Sequence, residues 1–202
     1  MVLNNFEMVL AGVGGQGIVF AGQIIMNTVL KQGYKVYGFE EHGMARRGGA
    51  VATHIRFGEQ VCTPLVPLGS GKLLAAFEPS EALRQVHFMG SDATIILNTR
   101  PVIPVSVSTG KGSYPDIKNI IDILGKHFKI VHSFDATSLA KEAGNPIAMN
   151  VVMLGAIYAS DITTLSNEVL IEVIKDRSPS YSRDINIAAF EKGYEEFRKS
   201  GK

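Results

Sequence analysis

Cysteine is nearly absent from this chain of 202 residues: Cys62 stands alone. One thiol makes no internal disulfide, and it falls short of the about four protein ligands that an iron–sulfur cluster takes. A chain so poor in cysteine suits a reducing cytoplasm. An excess of charge is missing as well. The formal net charge is +1, so no bulk attraction to nucleic acid or to an anionic membrane is expected. No apolar run approaches the roughly 20 residues that cross a bilayer. Met1-Val2-Leu3-Asn4-Asn5 lacks the basic start and long apolar stretch of a signal peptide. Low-complexity segments, internal repeats and a Pro/Gly/Ser-rich linker are also lacking. A cytoplasmic, soluble protein with one domain over residues 1–202 is expected, long enough to bury a sizeable core.

What is present is an alternation of short apolar runs and helical periods. Phe6 to Ala11 reads as a first strand. Ile18, Ala21, Gly22, Ile25 and Val29 fall at helix spacing up to Lys31, and Gly33 ends that helix. Tyr34 to Phe39 reads as a second strand. Val51, Thr53, Ile55 and Phe57 alternate with Ala52, His54 and Arg56, which predicts a third strand with two different faces. Leu73 to Phe77 and Ala93 to Leu97 are short buried strands, with a helix starting at Pro79 between them. Pro101 and Pro104 make the next stretch an edge strand or a loop. A helix from Pro115 to about Lys126 and a last strand from Lys129 to Ser133 follow. Residues 136–143, 147–159, 166–175 and 184–199 read as closing helices. The fold class is α/β: a three-layer α/β/α domain with a mostly parallel sheet, a Rossmann-like start and extra C-terminal helices.

Two loops carry the chemistry. The first is Gly12-Val13-Gly14-Gly15-Gln16-Gly17, in which Gly12, Gly14 and Gly17 match G-x-G-x-x-G between a strand and a helix. Glycine lets a backbone turn sharply or approach closely. The helix start behind it offers free N–H groups and a positive dipole end to an anion. Glu40 or Glu41, ending the second strand, stands where a dinucleotide-binding protein holds a ribose hydroxyl. On these features alone, an autonomous NAD- or FAD-binding oxidoreductase is one reading. The other is a tight turn packed against a neighbouring loop.

The second loop is Glu40-Glu41-His42-Gly43-Met44-Ala45-Arg46-Arg47-Gly48-Gly49. Loops at the carboxyl ends of parallel strands gather on one rim, so both loops should line the same edge. Arg46 and Arg47 among glycines suit an anion clamp, because guanidinium groups grip phosphate or carboxylate in a forked geometry. The alternatives are a solvated charged turn or a surface that binds only protein. His42 is expected to orient the loop through a hydrogen bond rather than to act as acid or base. Gly69-Ser70-Gly71-Lys72 is not a phosphate-binding P-loop, since Val66 and Leu73 stand where the pattern needs glycine and Ser/Thr. Asn145 before Pro146 is expected to cap a helix. Asn150 needs a partner if buried; it can reach back to the glycine loop or across to a partner subunit, but a capping-type role is the expectation. Met149 and Met153 are expected in the core, and Cys62 as a small buried hydrophobe.

Taken in order, GVGGQGIVFAGQII, EEHGMARRGGAVATHIRFG, PLVPLGSGKLLAAFEPSEALR and GNPIAMNVVMLGA resemble the gamma-type domain of 2-oxoacid:ferredoxin oxidoreductases. The forms EHGMARRGG and FEPSEALR resemble the beta subunit of the indolepyruvate type. The resemblance runs from about Phe6 to Ala159. It implies a small accessory subunit, inactive alone, supporting the CoA-dependent oxidative decarboxylation of a 2-oxoacid, with electrons leaving to ferredoxin through the complex. It also implies a large catalytic partner subunit that carries thiamine diphosphate and [4Fe–4S] clusters. Coenzyme A would be a co-substrate. The site residues it points to are Gly12, Gly14, Gly15, Gln16, Gly17, Glu41, His42, Arg46, Arg47, Gly48 and Gly49, as binding rather than catalytic or metal-ligating groups. No nucleic-acid or membrane partner is implied.

Overall fold

The computed structural model describes residues 5–43 and 48–200. Strand β1 (Phe6–Val13) leads through the glycine loop into helix α1 (Ile18–Lys31). Strands β2 (Val36–His42), β3 (Ala50–Phe57) and β4 (Gly71–Ala76) follow. Then come α2 (Pro79–Gln85), β5 (Met89–Asn98), the short α3 (Val105–Ser108), α4 (Ile117–His127) and β6 (Ile130–Phe134). Helices α5 (Ala136–Glu142), α6 (Met149–Ala159), α7 (Asn167–Arg177) and α8 (Arg183–Ser200) close the chain. None of the helices is long and apolar enough to cross a membrane, among the described residues.

The strands form one sheet in the order β2-β3-β1-β4-β5-β6. Four of them, β1, β4, β5 and β6, pair in parallel. The expected parallel character holds with one exception. Strand β3 lies between β1 and β2 and runs antiparallel to both. β1 and β2 therefore point the same way, and their carboxyl ends share a rim with those of β4, β5 and β6.

Helices cover both faces of the sheet. Met8, Leu10, Leu73 and Ala75 pack with α1 and the C-terminal helices, whereas Val9, Ala11, Leu74 and Ala76 pack with α2 and α4. Central strands buried on both faces favour apolar residues at successive positions, which is why Met8–Ala11 and Leu73–Ala76 read as continuous apolar runs. The two faces expected for β3 are present. Val51, Ile55 and Phe57 join the α1 side, but His54 and Arg56 on the other face are buried as well. Arg56 pairs with Glu7 (2.7 Å) and donates to the Thr63 and Leu65 carbonyls, so the 58–70 segment is tied across that face. Cys62 in this segment is exposed, contrary to expectation, because only the backbone and the Thr63 side chain face Arg56.

Local signals explain most boundaries. Gly33, at φ +83°, ends α1, with Gly33 N–H on the Leu30 carbonyl and Tyr34 N–H on the Val29 carbonyl. This pair of bonds is the Schellman ending that glycine favours. Glu78 caps α2 ahead of Pro79, Asp135 caps α5, and Asn145 caps the 3₁₀ turn Pro146–Ala148 that leads into α6. Pro115 does not open α4. Asp116 caps it, and the helix starts at Ile117. Pro101 and Pro104 lie in a loop.

Helix α6 is apolar on all sides, as a helix enclosed by other elements must be. Met149 and Met153 are in the core as expected. α6 lies against α8 backbone to backbone. A Cβ on Gly155 would run into the Phe190 carbonyl, and one on Gly193 into the Val152 carbonyl. Gly193→Ala should therefore lower stability by about 1–3 kcal/mol, the usual cost of overpacking. Gly125→Ala on α4, where nothing lies within 4 Å, should be neutral or stabilising by up to about 1 kcal/mol. Urea melts of the two variants check this, and equal effects would rule out the close crossing.

His54 is fully buried, edge-on to Phe88 at 4.6 Å between ring centroids, and neither ring nitrogen has a hydrogen-bond partner among the described residues. Burial holds its pKa below the ordinary 6.5, only partly opposed by the Glu41 carboxylate. Burial lowers His132 in the same way. The unfolded chain then takes up protons that the folded one refuses. Stability should be flat above about pH 6.5 and fall as pH drops below it. His54→Phe should shallow that fall. Melts at pH 7.5 and pH 5 with identical slopes for both proteins would contradict it.

Candidate functional site

The rim of the sheet is built around the end of β1. Gly14 N–H donates to the Gly49 carbonyl (2.8 Å), and Gly48 N–H donates to the Gly14 carbonyl (3.2 Å). This reciprocal pair joins the glycine loop to the segment entering β3. The two loops that were expected to share an edge do so, although β3 is antiparallel. Gly15 and Gly48 have φ of +104° and +71° with open space around them, so glycine serves conformation there.

Gly12 serves close packing, and Gly17, at φ +76°, serves conformation and packing together. A Cβ on Gly12 would lie 2.6 Å from Gln16 Oε1, and one on Gly17 would meet the Asn150 side chain. Asn150 Nδ2 donates to the Gly17 carbonyl at 3.4 Å, so this asparagine of α6 does reach back to the loop. Gly17, the residue before α1, supplies no side-chain cap. The first N–H groups of α1, at Ile18, Val19 and Phe20, are left without intrahelical acceptors, as at any helix start. Beside them opens a pocket of about 450 Å3, lined by Gly14, Gly15, Gly17, Ile18 and Val19 on one side and His42, Gly43 and Val51 on the other. A positive helix end, backbone donors and an apolar wall suit an anion attached to a less polar body.

Two of the expected residues are placed differently from their reading in the sequence. Gln16 does not face the pocket with a free amide. Its Oε1 accepts from Val13 N–H (2.8 Å), and its Nε2 donates to the Phe77 carbonyl (2.9 Å). It is a positioning residue that ties the end of β1 to the end of β4. Glu41 pairs with Ala52, so it projects from the sheet face that α2 and α4 cover, away from the pocket wall made by His42 and Val51. Among the described residues the His42 side chain makes no hydrogen bond. It is half-exposed, with Nε2 3.8 Å from Glu40 Oε2. Arg46 and Arg47 lie outside the described residues.

The sheet order also bears on the dinucleotide reading. That reading needs the acidic residue on the strand next to β1. Here β3 intervenes, so Glu40 and Glu41 stand two strand spacings from β1, roughly 10 Å rather than 5. Glu41 is on the wrong face besides. Neither Glu40 nor Glu41 thus stands where a dinucleotide site holds its ribose-binding carboxylate.

A match to the pyruvate ferredoxin/flavodoxin oxidoreductase family covers residues 7–196. The chain belongs to that family. Among its relatives is the indolepyruvate oxidoreductase subunit IorB of Thermococcus kodakarensis, 39% identical over 193 residues, 95% of each chain. The gamma subunit of a keto/oxoacid ferredoxin oxidoreductase from Geobacter sulfurreducens has the same fold, with a TM-score of 0.71 at 20% identity over 96% of this chain and 99% of that one. The 2-oxoglutarate:ferredoxin oxidoreductase of Magnetococcus marinus, solved with 2-oxoglutarate, coenzyme A and succinyl-CoA, also contains it, at TM-score 0.72 and 20% identity. There the match takes in 98% of this chain but 32% of the other, so the same fold is one part of a longer polypeptide. In this pyruvate ferredoxin/flavodoxin oxidoreductase domain, the residues missed from sequence are those that hold the rim in place. Asn98 Nδ2 donates to the Phe77 carbonyl (2.9 Å), and its Oδ1 accepts from Ala136 N–H (3.1 Å). A polar residue ending an apolar strand is the signal that marks it.

Gln16→Glu places a carboxylate against the Phe77 carbonyl. It should cost about 1–3 kcal/mol by losing a partly buried bond and leaving an acceptor unmatched. Chemical denaturation measures this, and a change under about 0.5 kcal/mol would show that Gln16 does not hold the rim.

Proposed function

We propose that this chain is the single-domain accessory subunit of an indolepyruvate-type 2-oxoacid:ferredoxin oxidoreductase. The whole-length relationship to indolepyruvate oxidoreductase subunits supports the reading. The observation that carries the site is the pair of rim loops joined by the Gly14, Gly48 and Gly49 backbone bonds beside the start of α1. In this reading the rim faces the partner's active centre and steadies the anionic part of coenzyme A. The glycine loop and α1 supply N–H donors. Arg46 and Arg47 supply positive charge from the adjoining loop.

Thiamine diphosphate and [4Fe–4S] clusters fall to the larger partner subunit. A cluster does not suit the residues here. Cys62 is the lone thiol, and among the described residues no group of three or more His, Cys, Asp or Glu side chains converges. The chain contributes shape and anion binding, and the carbon chemistry and electron transfer proceed on the partner before ferredoxin receives the electrons.

The test is co-expression with a larger subunit that carries a thiamine-binding segment and ferredoxin-like cysteines, followed by assay of ferredoxin reduction with indolepyruvate and coenzyme A. Activity is expected in the complex and not in either chain alone. In that complex, Arg46→Ala with Arg47→Ala should raise KM for coenzyme A about tenfold, equivalent to about 1.4 kcal/mol, with kcat and assembly little changed. An unchanged KM would remove the clamp from the proposal.

A further inference from the structure

The rim has a second half that the pocket does not use. Residues 99–114 leave the end of β5, pass through Pro101 and Pro104, form α3 and return at Tyr114. This loop holds apolar side chains out in water. Val105 is 77% exposed, and Val102 and Ile103 are exposed as well. Ile147, in the 3₁₀ turn before α6, is 76% exposed. That turn leads directly to Asn150 and so to the glycine loop.

The loop is held firmly. Glu78 is fully buried, and its carboxylate accepts from Ser80 N–H and Oγ–H, from Glu81 N–H, from the Tyr114 hydroxyl and from Val102 N–H. Burial first, and the Glu78 carboxylate second, push the Tyr114 phenol far above its ordinary pKa, so it stays a donor. Asn98 adds a bond from Arg100 N–H. Burying a carboxylate costs several kcal/mol unless donors surround it, and here the donors come from both ends of the loop. The result is a preorganised surface, whose ordering cost is met on folding rather than on binding. Exposed apolar side chains on a loop anchored at both ends suit a protein contact.

Three observations identify what covers it. First, residues 99–114 carry two cations, Arg100 and Lys111, and no anion. Asp135, which feels Arg100, is engaged in capping α5. A second copy meeting this face across a two-fold axis would oppose like charges. Second, the face is continuous with the candidate site. The Phe77 carbonyl accepts both from Gln16 of the glycine loop and from Asn98 at the foot of this loop. Third, in the Magnetococcus marinus protein the same fold is 32% of a longer chain, so there a domain of this shape is joined to further protein.

We infer that the patch made by Val102, Ile103, Val105 and Ile147 is the docking surface for the larger catalytic subunit, which meets it with an apolar face bordered by carboxylates. The inference rests on the accessory-subunit reading above. It adds that assembly and anion binding occupy adjoining halves of one rim, coupled through the Phe77 carbonyl.

The experiment is affinity of the purified chain for the purified larger subunit, measured for the native chain, for Ile103→Asp with Val105→Asp, for Ile147→Asp and for Arg100→Glu with Lys111→Glu. The control is Leu30→Asp, an exposed apolar residue on α1. Thermal melts establish that each variant is folded, and Ile103→Ser with Val105→Ser replaces the aspartate pair if it does not fold. The rim variants should bind at least about thirtyfold more weakly, the scale of losing interface anchors. The charge variant should also lose part of the salt dependence, and Leu30→Asp should bind as the native chain does. Native-like binding by the rim variants overturns the inference while leaving the accessory-subunit reading intact. No binding by the native chain overturns that reading, and the inference with it. Self-association of the isolated chain that the same variants abolish identifies a second copy as the occupant and overturns the choice of partner.

Discussion

Strand β3 lies antiparallel along the whole of β1, from Phe6 opposite Phe57 to Val13 opposite Ala50. Most of the rim follows from this pairing. It carries the entrance of β3 to the carboxyl end of β1, so that Gly48 and Gly49 can exchange backbone bonds with Gly14. It brings Val51 to the pocket wall and moves the end of β2 one strand further out. A wholly parallel sheet would have put a crossover helix between these strands and separated the two loops.

The polar groups near the rim serve position more than chemistry. Gln16, Asn98, Glu78 and Asn150 use their hydrogen bonds on backbone groups of neighbouring segments. Such groups hold a loop at fixed geometry in a way that apolar contacts cannot, because hydrogen bonds are directional. This agrees with the proposed accessory role, in which the edge is presented to a partner subunit. Among the described residues, the pocket beside α1 is lined by backbone donors, a helix start and His42, with no carboxylate. That composition agrees with binding an anion and not with transforming it.

Close packing at α6 and α8 supports the same edge from behind. α6 begins beside Gly17 and is buried on nearly every side. Its backbone contact with α8 through Gly155 and Gly193 leaves little freedom for it to shift. The start of α1 is thus held by the glycine loop in front and by the most enclosed helix in the molecule behind.

Much of this was legible in the sequence, because the signals are local. The strand–glycine–helix unit, the Gly33 ending, the Asn145 cap and the apolar runs of β1 and β4 each depend on a few adjacent residues and their periodicity. The family resemblance likewise came from motifs in order. What the sequence alone did not decide was which strand lies beside which. Alternation predicts parallel strands, but the seven residues between β2 and β3 are too few for a parallel crossover, so the short link is the one local sign that β3 runs antiparallel to β2. The consequences for Glu41, for Gln16 and for the buried His54 follow from neighbours that are distant in the chain. Gln16 meets Phe77 across 61 positions, and Asn150 meets Gly17 across 133. Residue types and spacing therefore determined that this chain has a glycine loop between a strand and a helix at the sheet's rim. Only the tertiary structure decided which side chains face that rim, because facing is set by strand order and register rather than by sequence distance.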